Sequence, residues 1–366
     1  MAQHSWSSVL HDLLAGIDLS AEDAGWAMRS VLAGDFHAAQ LSALLVGLRV
    51  KGETPVEMAA VADAIAEEAV PWVRESAVDV TRVGDDLTGS ADLSVAVAVT
   101  VAATGIPVVQ YGERAGHLSS PGPAQACAAL GVRSDLSAES AAGCLAAAGI
   151  TYLFAPRFHQ RLRRAATVRR ALGVPTLLDH LSPLLNPGRP RAGLIGCSGA
   201  RMTSALAVNL AQRDTTALIV RGREGLARIS TAGPTDVCVV QDNAVSRTVV
   251  DAADYGLARS TAPTLHRAGH SRLAAALHGA FSGEPGPVRD AVAINAAAAI
   301  AAYRGLTPSV DRALADGLAA ASQALDSGAA RRQLALWRKA TRTAGAVPRT
   351  RVPQGDPLLP SARQGV

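Results

Sequence analysis

The sequence predicts an α/β protein in which a small N-terminal helical bundle precedes a larger, mostly parallel sheet domain covered by helices. Three observations carry that expectation. Residues 8–70 place apolar side chains at helical spacing between recognisable caps; from Val78 onward short β-branched runs alternate with Ala-rich stretches; and 49% of the 366 residues are hydrophobic while only 3% are aromatic. The first pattern is that of helices with one buried face. The second suits a parallel sheet, whose strands are joined by helical crossovers. The third favours closely packed Ala-rich helices and short buried strands over an aromatic-filled sandwich.

The opening helix carries Leu10, Leu13 and Leu14 on one expected face. Next, "DLSAEDAGWAMRSVLAG" starts at an Asp18 or Ser20 N-cap and stops at Gly34, because a short side-chain oxygen satisfies free amides and glycine accepts the left-handed closing residue. A third helix, "HAAQLSALLVGLRVKG", ends at Gly52. In "TPVEMAAVADAIAEEA", Thr54 caps, Pro55 fills the first helical position and Glu57 completes a capping box. Strands are then expected at "VDVTRVG", "PVVQYG", "TYLFAP", "AGLIGC", "TALIVRG" and "DVCVV". Ligands of such sheets bind beyond the carboxyl ends of the strands. The expected domains are residues 1–72, joined by a connector at about 165–190 to an α/β domain of 73–164 and 191–343. A mobile tail of 344–366, rich in Pro, Gly and Arg, follows.

No apolar run reaches the roughly 20 residues of a membrane span, and the start has no leader pattern, so a cytoplasmic protein is expected. Cys127, Cys144, Cys197 and Cys238 stand far apart without metal-site spacing and read as buried thiols. A net charge of +4 is common among ordinary enzymes and decides nothing by itself. Six arginines between Arg157 and Arg170 suggest one basic helix, with Arg157, Arg161 and Arg164 on a shared face. That face is either solvated or an anion or nucleic-acid surface.

The order of these segments, from about residue 10 to residue 335, resembles the anthranilate phosphoribosyltransferase family. "LLAGIDLSAEDAGWAMRSVLAGDFHAAQLSALLVGLRVKGETPVEM" is similar to its helical module, while "GEPGPVRDAVAINAAAAI" and "DSGAA", with Asn295, Ser327 and Gly328, are similar to its last helices. Within "APRFHQRLRRAATVRRALGVPTLLDHLSPLLNPG", His159 and Arg169 stand at the family's His and the Arg ten residues on. The resemblance implies that Arg169 lies beside the acceptor, where a guanidinium suits a carboxylate or polarised carbonyl. From the residues alone, Arg169 is either such a group or a solvated helix residue, and His159 either a ligand or a packing residue. Ser182 and Asp179 replace a Gly and an Asn of the family's acceptor wall.

"VVQYGERAGHLSSPGPAQACAALGV" is similar to the family's phosphate-wrapping loop, matching at Gly112, Arg114, Ser119, Ser120 and Gly122. Its "R-x-GH" is also similar to thymidine phosphorylases. Yet the family's Lys, His and Asn are Gln110, Tyr111 and Glu113 here. The Gly-rich loop after Val83 and Gly84 reads "DDLTGSADLS", two residues short when Ser94 is matched, and Asp85, Asp86 and Asp92 repel a pyrophosphate unless a metal or an Arg intervenes. In "VRGREGLARIS", Ala227 and Arg228 stand where the family has the Asp and Glu that hold magnesium. Magnesium prefers hard carboxylate oxygens, so that site is expected to be lost, and no cofactor is assigned.

Taken with the resemblance, the substrate-binding candidates are Gly84, Asp85, Ser94, Tyr111, Gly112, Glu113, Arg114, Ser119, Ser120, His159, Arg169 and Arg228. No catalytic nucleophile is named, because glycosyl transfer through an oxocarbenium-like transition state draws its rate from positioning and electrostatics. The first functional reading is a diverged glycosyl-transfer enzyme acting on a ribose-phosphate donor or a modified small molecule, with metal-independent phosphorolysis as a variant. The second is a non-catalytic or nucleic-acid-binding member of the same fold. A small-molecule substrate, phosphorylated in the first reading, and a homodimer formed through the helical bundle, whose Trp26, Leu41, Leu44 and Leu45 either face the partner or pack in the core, are the expected partners, with no membrane.

Overall fold

The computed structural model describes residues 4–84, 92–113, 122–260 and 270–344. The chain opens with α1 (Trp6–Leu14), α2 (Ala21–Ala33), α3 (Ala38–Lys51) and α4 (Pro55–Glu67). Ser20 Oγ accepts from the Asp23 amide to start α2, and Gly34 closes it at φ 93°. Thr54 and Glu57 form the expected capping box, with Pro55 at the helix start. These caps supply partners to amides and carbonyls that the helix itself leaves open.

The structure settles two expectations about this bundle. Leu41, Leu44 and Leu45, left by the sequence between a dimer surface and the core, are 0–3% exposed and fill the bundle core with Met28, Val31, Met58 and Ile65. Trp26 is partly buried against the same core. The apolar stripe of α3 is therefore used within the chain. Leu14, expected beside Leu13, is 89% exposed; one residue is a rotation of about 100° around a helix, which takes Leu14 off the buried face.

The larger part runs β1 (Val78–Val83), α5 (Ser94–Ala102), β2 (Val108–Gly112), α6 (Pro123–Ala129), α7 (Ala138–Ala148) and β3 (Ile150–Phe154). The short α8 (Ala155–Phe158), α9 (Ala166–Leu172) and α10 (Ser182–Leu185) follow, with 3₁₀ turns at Gln160–Ala165 and Leu177–His180. Then come β4 (Ala192–Cys197), α11 (Ala200–Ala211), β5 (Thr216–Gly222), β6 (Thr235–Gln241) and β7 (Ala244–Val250). The last elements are α12 (His270–Phe281), α13 (Pro287–Arg304), α14 (Val310–Asp326) and α15 (Ala329–Ala344). Among the described residues these strands form one sheet in the order β3-β2-β1-β4-β5-β6-β7. Pairing is parallel from β3 through β5 and antiparallel across β5, β6 and β7.

All six strands read from the sequence are present, and β7 is additional. The order reverses at β1: β2 and β3 extend one way and β4 onward the other. Between β1 and β4, paired in register up to Val83 and Cys197, the outgoing connections diverge and leave a crevice. Ala-rich α13 is buried along Ala291–Ala302 and packs against α14, α5 and β4.

The segment expected to be one Arg-bearing helix is three pieces, α8, a 3₁₀ turn and α9, because His159 leaves helical geometry at φ −120° and ψ 67°. Its turn packs on α2, α9 on α3, and α10 on α4, β1 and β2. The connector thus touches both the bundle and the sheet. No helix among the described residues is long and apolar enough to cross a membrane.

Candidate functional site

A cleft opens beyond the carboxyl ends of β1 and β2. Arg82 and Gly84 come from the end of β1, Tyr111, Gly112 and Glu113 from the end of β2, and Arg169, Asp179 and Ser182 from the connector. Gly112 and Arg169 therefore face the same space, as the sequence leads one to expect. Two backbone features hold this wall. Gly84 has φ +70°, and a Cβ there stands 2.6 Å from His180 Nε2; its amide donates to the Asp179 carbonyl at 3.2 Å. Any side chain at Gly84 strains the backbone and pushes His180.

Arg169 is the electrostatic centre of the cleft. It is 4% exposed, and it donates from Nη1 to Glu113 Oε1 at 3.0 Å and from Nη2 to Asp179 Oδ1 at 2.8 Å. Asp179 is fixed in turn, since its Oδ2 accepts from the Thr176 amide and hydroxyl at 2.8 and 2.9 Å. Burial works to lower the Arg169 pKa, but the two carboxylates outweigh it and hold the pKa above the ordinary value. Burial likewise works to raise Asp179, yet Arg169 and the Thr176 bonds keep its carboxyl below the usual range. The sequence-predicted Arg, Glu113 and the altered Asp179 are thus one charge cluster. Their 56-residue separation hides the first pair from local sequence patterns.

Of the two readings left open for His159, a ligand or a packing residue, the structure carries the second: it is 3% exposed and does not line the cleft; its Nδ1 lies 2.9 Å from the Tyr111 hydroxyl, with the rings edge to face. Burial pushes its pKa down to about 4, so it is neutral and braces Tyr111 from behind. Gln110, at the position of the family's Lys, turns away from the cleft to donate from Nε2 to the Val80 carbonyl at 2.7 Å.

An adjoining pocket shares Arg82 and Asp92 with the cleft and adds Ser94, Arg228 and Asn295. Ser94 begins α5, its amide donating to Asp92 Oδ1 at 2.8 Å, and its Oγ is buried without a partner. Arg82 Nε lies 3.6 Å from Asp92 Oδ2. Arg82 itself escaped the sequence reading, although its place at the strand end was the available signal. Asn295 Oδ1 accepts from the Ile229 amide at 2.9 Å and its Nδ2 donates to the Ile229 carbonyl at 3.0 Å, clamping the loop that carries Ala227 and Arg228. Gly196 permits this: a Cβ there stands 1.8 Å from the Ala227 carbonyl oxygen. Asp85, Asp86, Arg114, Ser119 and Ser120, like the tail expected to be mobile, lie outside the described residues.

Of the arginines expected on one basic face, Arg157 pairs with Asp135 at 2.5 Å, Arg161 pairs with Glu68 at 2.9 Å, and Arg164 donates to the Leu32 carbonyl.

A bundle of capped helices followed by a sheet with its cleft at the carboxyl ends of β1 and β2 is matched by two family models. Residues 7–69 match the helical bundle domain of the glycosyl transferase family, and residues 74–331 match its a/b domain. The chain belongs to the glycosyl transferase family. Among curated members, the anthranilate phosphoribosyltransferase of Salinispora arenicola is 41% identical over 342 residues, covering 92% of this chain and 97% of that one. The anthranilate phosphoribosyltransferase of Rhodococcus jostii is 43% identical over 340 residues, covering 92% and 93%. Among solved structures, the anthranilate phosphoribosyltransferase of Thermus thermophilus superposes with a TM-score of 0.82 at 32% identity, covering 91% of this chain and 99% of that one. The Saccharomyces cerevisiae enzyme in complex with PRPP and Mg gives 0.81 at 21% identity over 92% and 98%, a likeness of fold.

Proposed function

We propose that this member of the glycosyl transferase family transfers a ribosyl group from a ribose-phosphate donor to a small-molecule acceptor, without the magnesium-dependent anthranilate phosphoribosylation named for its relatives. The observation that carries the reading is the pair of adjoining pockets that share Arg82 and Asp92. One end presents Arg82, Ser94 and Arg228 and the other presents Arg169 locked between Glu113 and Asp179. The cationic end suits a phosphorylated donor and the far end an acceptor.

In such a transfer the bond from the anomeric carbon to its leaving oxygen breaks as the acceptor's bond forms. Fixed guanidinium groups stabilise the departing anion without reorganising in the transition state. Arg82 and Arg228 are the groups for that role, Ser94 Oγ can donate to a phosphate oxygen, and Tyr111, braced by His159, shapes the acceptor wall. The family's magnesium does not fit the residues present: Ala227 offers a methyl group and Arg228 a cation in place of hard oxygen ligands. A fixed cation replaces a bound one in this reading.

The nucleic-acid reading has less support, because Arg157 and Arg161 are engaged by Asp135 and Glu68. The proposal also takes the chain as a cytoplasmic homodimer whose ligands lie between a bundle of residues 1–72, with its connector at about 165–190, and the sheet domain.

Two measurements test it. Ribose 5-phosphate raises the unfolding temperature equally with and without magnesium, through its binding to the folded state, and Arg228→Ala abolishes the rise. Anthranilate, phosphoribosyl diphosphate and magnesium together give turnover at least about 10³-fold below the roughly 10 per second of ordinary enzymes. Turnover near one per second refutes the altered chemistry.

A further inference from the structure

We propose that the acceptor end of the cleft selects a neutral or cationic acceptor and rejects a carboxylate, with Glu113 as the determinant. The inference rests on the glycosyl-transfer reading and names its acceptor class. Its evidence is the charge balance around Arg169. This guanidinium is the acceptor-side cation, yet Glu113 Oε1 at 3.0 Å and Asp179 Oδ1 at 2.8 Å already surround it. Asp179 is held in place by Thr176, so it cannot swing aside without losing two further bonds. Across the cleft, Arg82 faces Asp92. Around Arg169 itself, one guanidinium group thus faces two carboxylates.

A ligand carboxylate entering here has to displace Glu113 from Arg169 or sit beside it. Displacement leaves Glu113, only one-third exposed, without its ion pair, and coexistence places like charges within a few ångströms in a partly desolvated space, where they repel. Neither penalty falls on an amide, whose carbonyl oxygen and NH₂ group can meet a donor and an acceptor. An ammonium gains attraction to Glu113. Negative discrimination of this kind arises from a repulsive element as much as from an attractive one.

Three ring-isosteric probes separate the possibilities: 2-aminobenzoate, 2-aminobenzamide and 2-aminobenzylamine, titrated calorimetrically at neutral pH into the full chain saturated with ribose 5-phosphate. The expected result is that wild type binds the amide and the benzylamine at least about tenfold more tightly than the carboxylate, and that Glu113→Gln shrinks or reverses this ratio by a similar factor. A general loss of folding lowers all three affinities together, so the ratio reads the charge and not the integrity of the protein. Preference of wild type for 2-aminobenzoate, or an unchanged ratio in Glu113→Gln, overturns the selectivity alone. Binding of none of the probes to either protein overturns the selectivity together with the acceptor reading beneath it.

Discussion

Asp79 shows how much chemistry one buried carboxyl can store without touching ligand. It lies on β1, 4% exposed, and Asn186 Nδ2 donates to its Oδ2 at 3.0 Å while also donating to the Val109 carbonyl at 2.9 Å. Burial, opposed by the Asn186 bond and a backbone bond from Val80, raises its pKa from 3.8 to about 7. Between these values the folded protein holds a proton that the unfolded chain has released, so this group makes stability fall as pH rises from about 4 to about 7. Asp79→Asn keeps the bond to Asn186 and removes the titration. Urea unfolding across that range is expected to show wild type losing ground to the variant with a slope approaching 1.4 kcal/mol per pH unit; parallel curves rule the mechanism out. At this scale the sequence reads unevenly. Gly84, Tyr111, Gly112, Glu113 and Arg169 were legible as residues of one cleft because each stands at a strand end or in a recognisable segment. The Arg169–Glu113 pair and the bracing role of His159 were not, since both contacts span distant segments and depend on how the connector folds back.

Element boundaries in the bundle were legible because their chemistry is local, and α4 shows which part of that chemistry carries the stability. Its capping Thr54 is backed by Glu57, which is fully buried and accepts from the Leu19 amide at 2.8 Å, the Thr54 amide at 2.8 Å and Lys51 Nζ at 3.0 Å. Removing the carboxylate leaves Lys51, whose side chain is 6% exposed, with Asp18 at 2.6 Å and the Gly52 carbonyl at 3.0 Å, and strands the Leu19 amide. Glu57→Ala is therefore expected to cost about 3–5 kcal/mol, the range for breaking one side of a buried ion pair, against about 1 kcal/mol for Thr54→Ala as the loss of a cap. Equal costs in chemical denaturation contradict this ordering. Two elements were misread for opposite reasons. β7 is a largely exposed edge strand, so it lacks the apolar run that marks its neighbours, although Asp242 and Asn243 at φ 51° and 59° are the left-handed pair that suits a two-residue hairpin turn. The Arg-rich segment has helical spacing but breaks at His159, and its arginines reach separate partners on α2, at Glu68 just beyond α4 and at Asp135.

Assembly is the property of the whole molecule that the corrected bundle now argues differently. The leucines that the sequence leaves between interface and core belong to the core, yet the bundle still exposes Val50 at 81%, Leu14 at 89%, Val56 at 54%, Ile17 at 52% and Val46 at 40%. Val46 and Val50 lie one turn apart on α3, Leu13 packs beside Gly47 of the same helix with Leu14 next to it, and Lys51 ties the Ile17–Asp18 loop to the end of α3 through its 2.6 Å bond to Asp18. An apolar surface of this kind, rimmed by the exposed charges of Arg49 and Asp18, is the form in which protein contacts are commonly built. A second copy is the natural occupant in the homodimer reading, since a two-fold contact needs one self-complementary patch and no other surface. Light scattering at micromolar concentration is expected to give about twice the 37.4 kDa of one chain, and Val50→Asp to return a single chain. Because Val50 is so exposed, the substitution changes the stability of the folded chain by no more than about 0.5 kcal/mol, so the halved mass reports the interface and not unfolding. A wild-type protein that elutes as one chain removes the dimer.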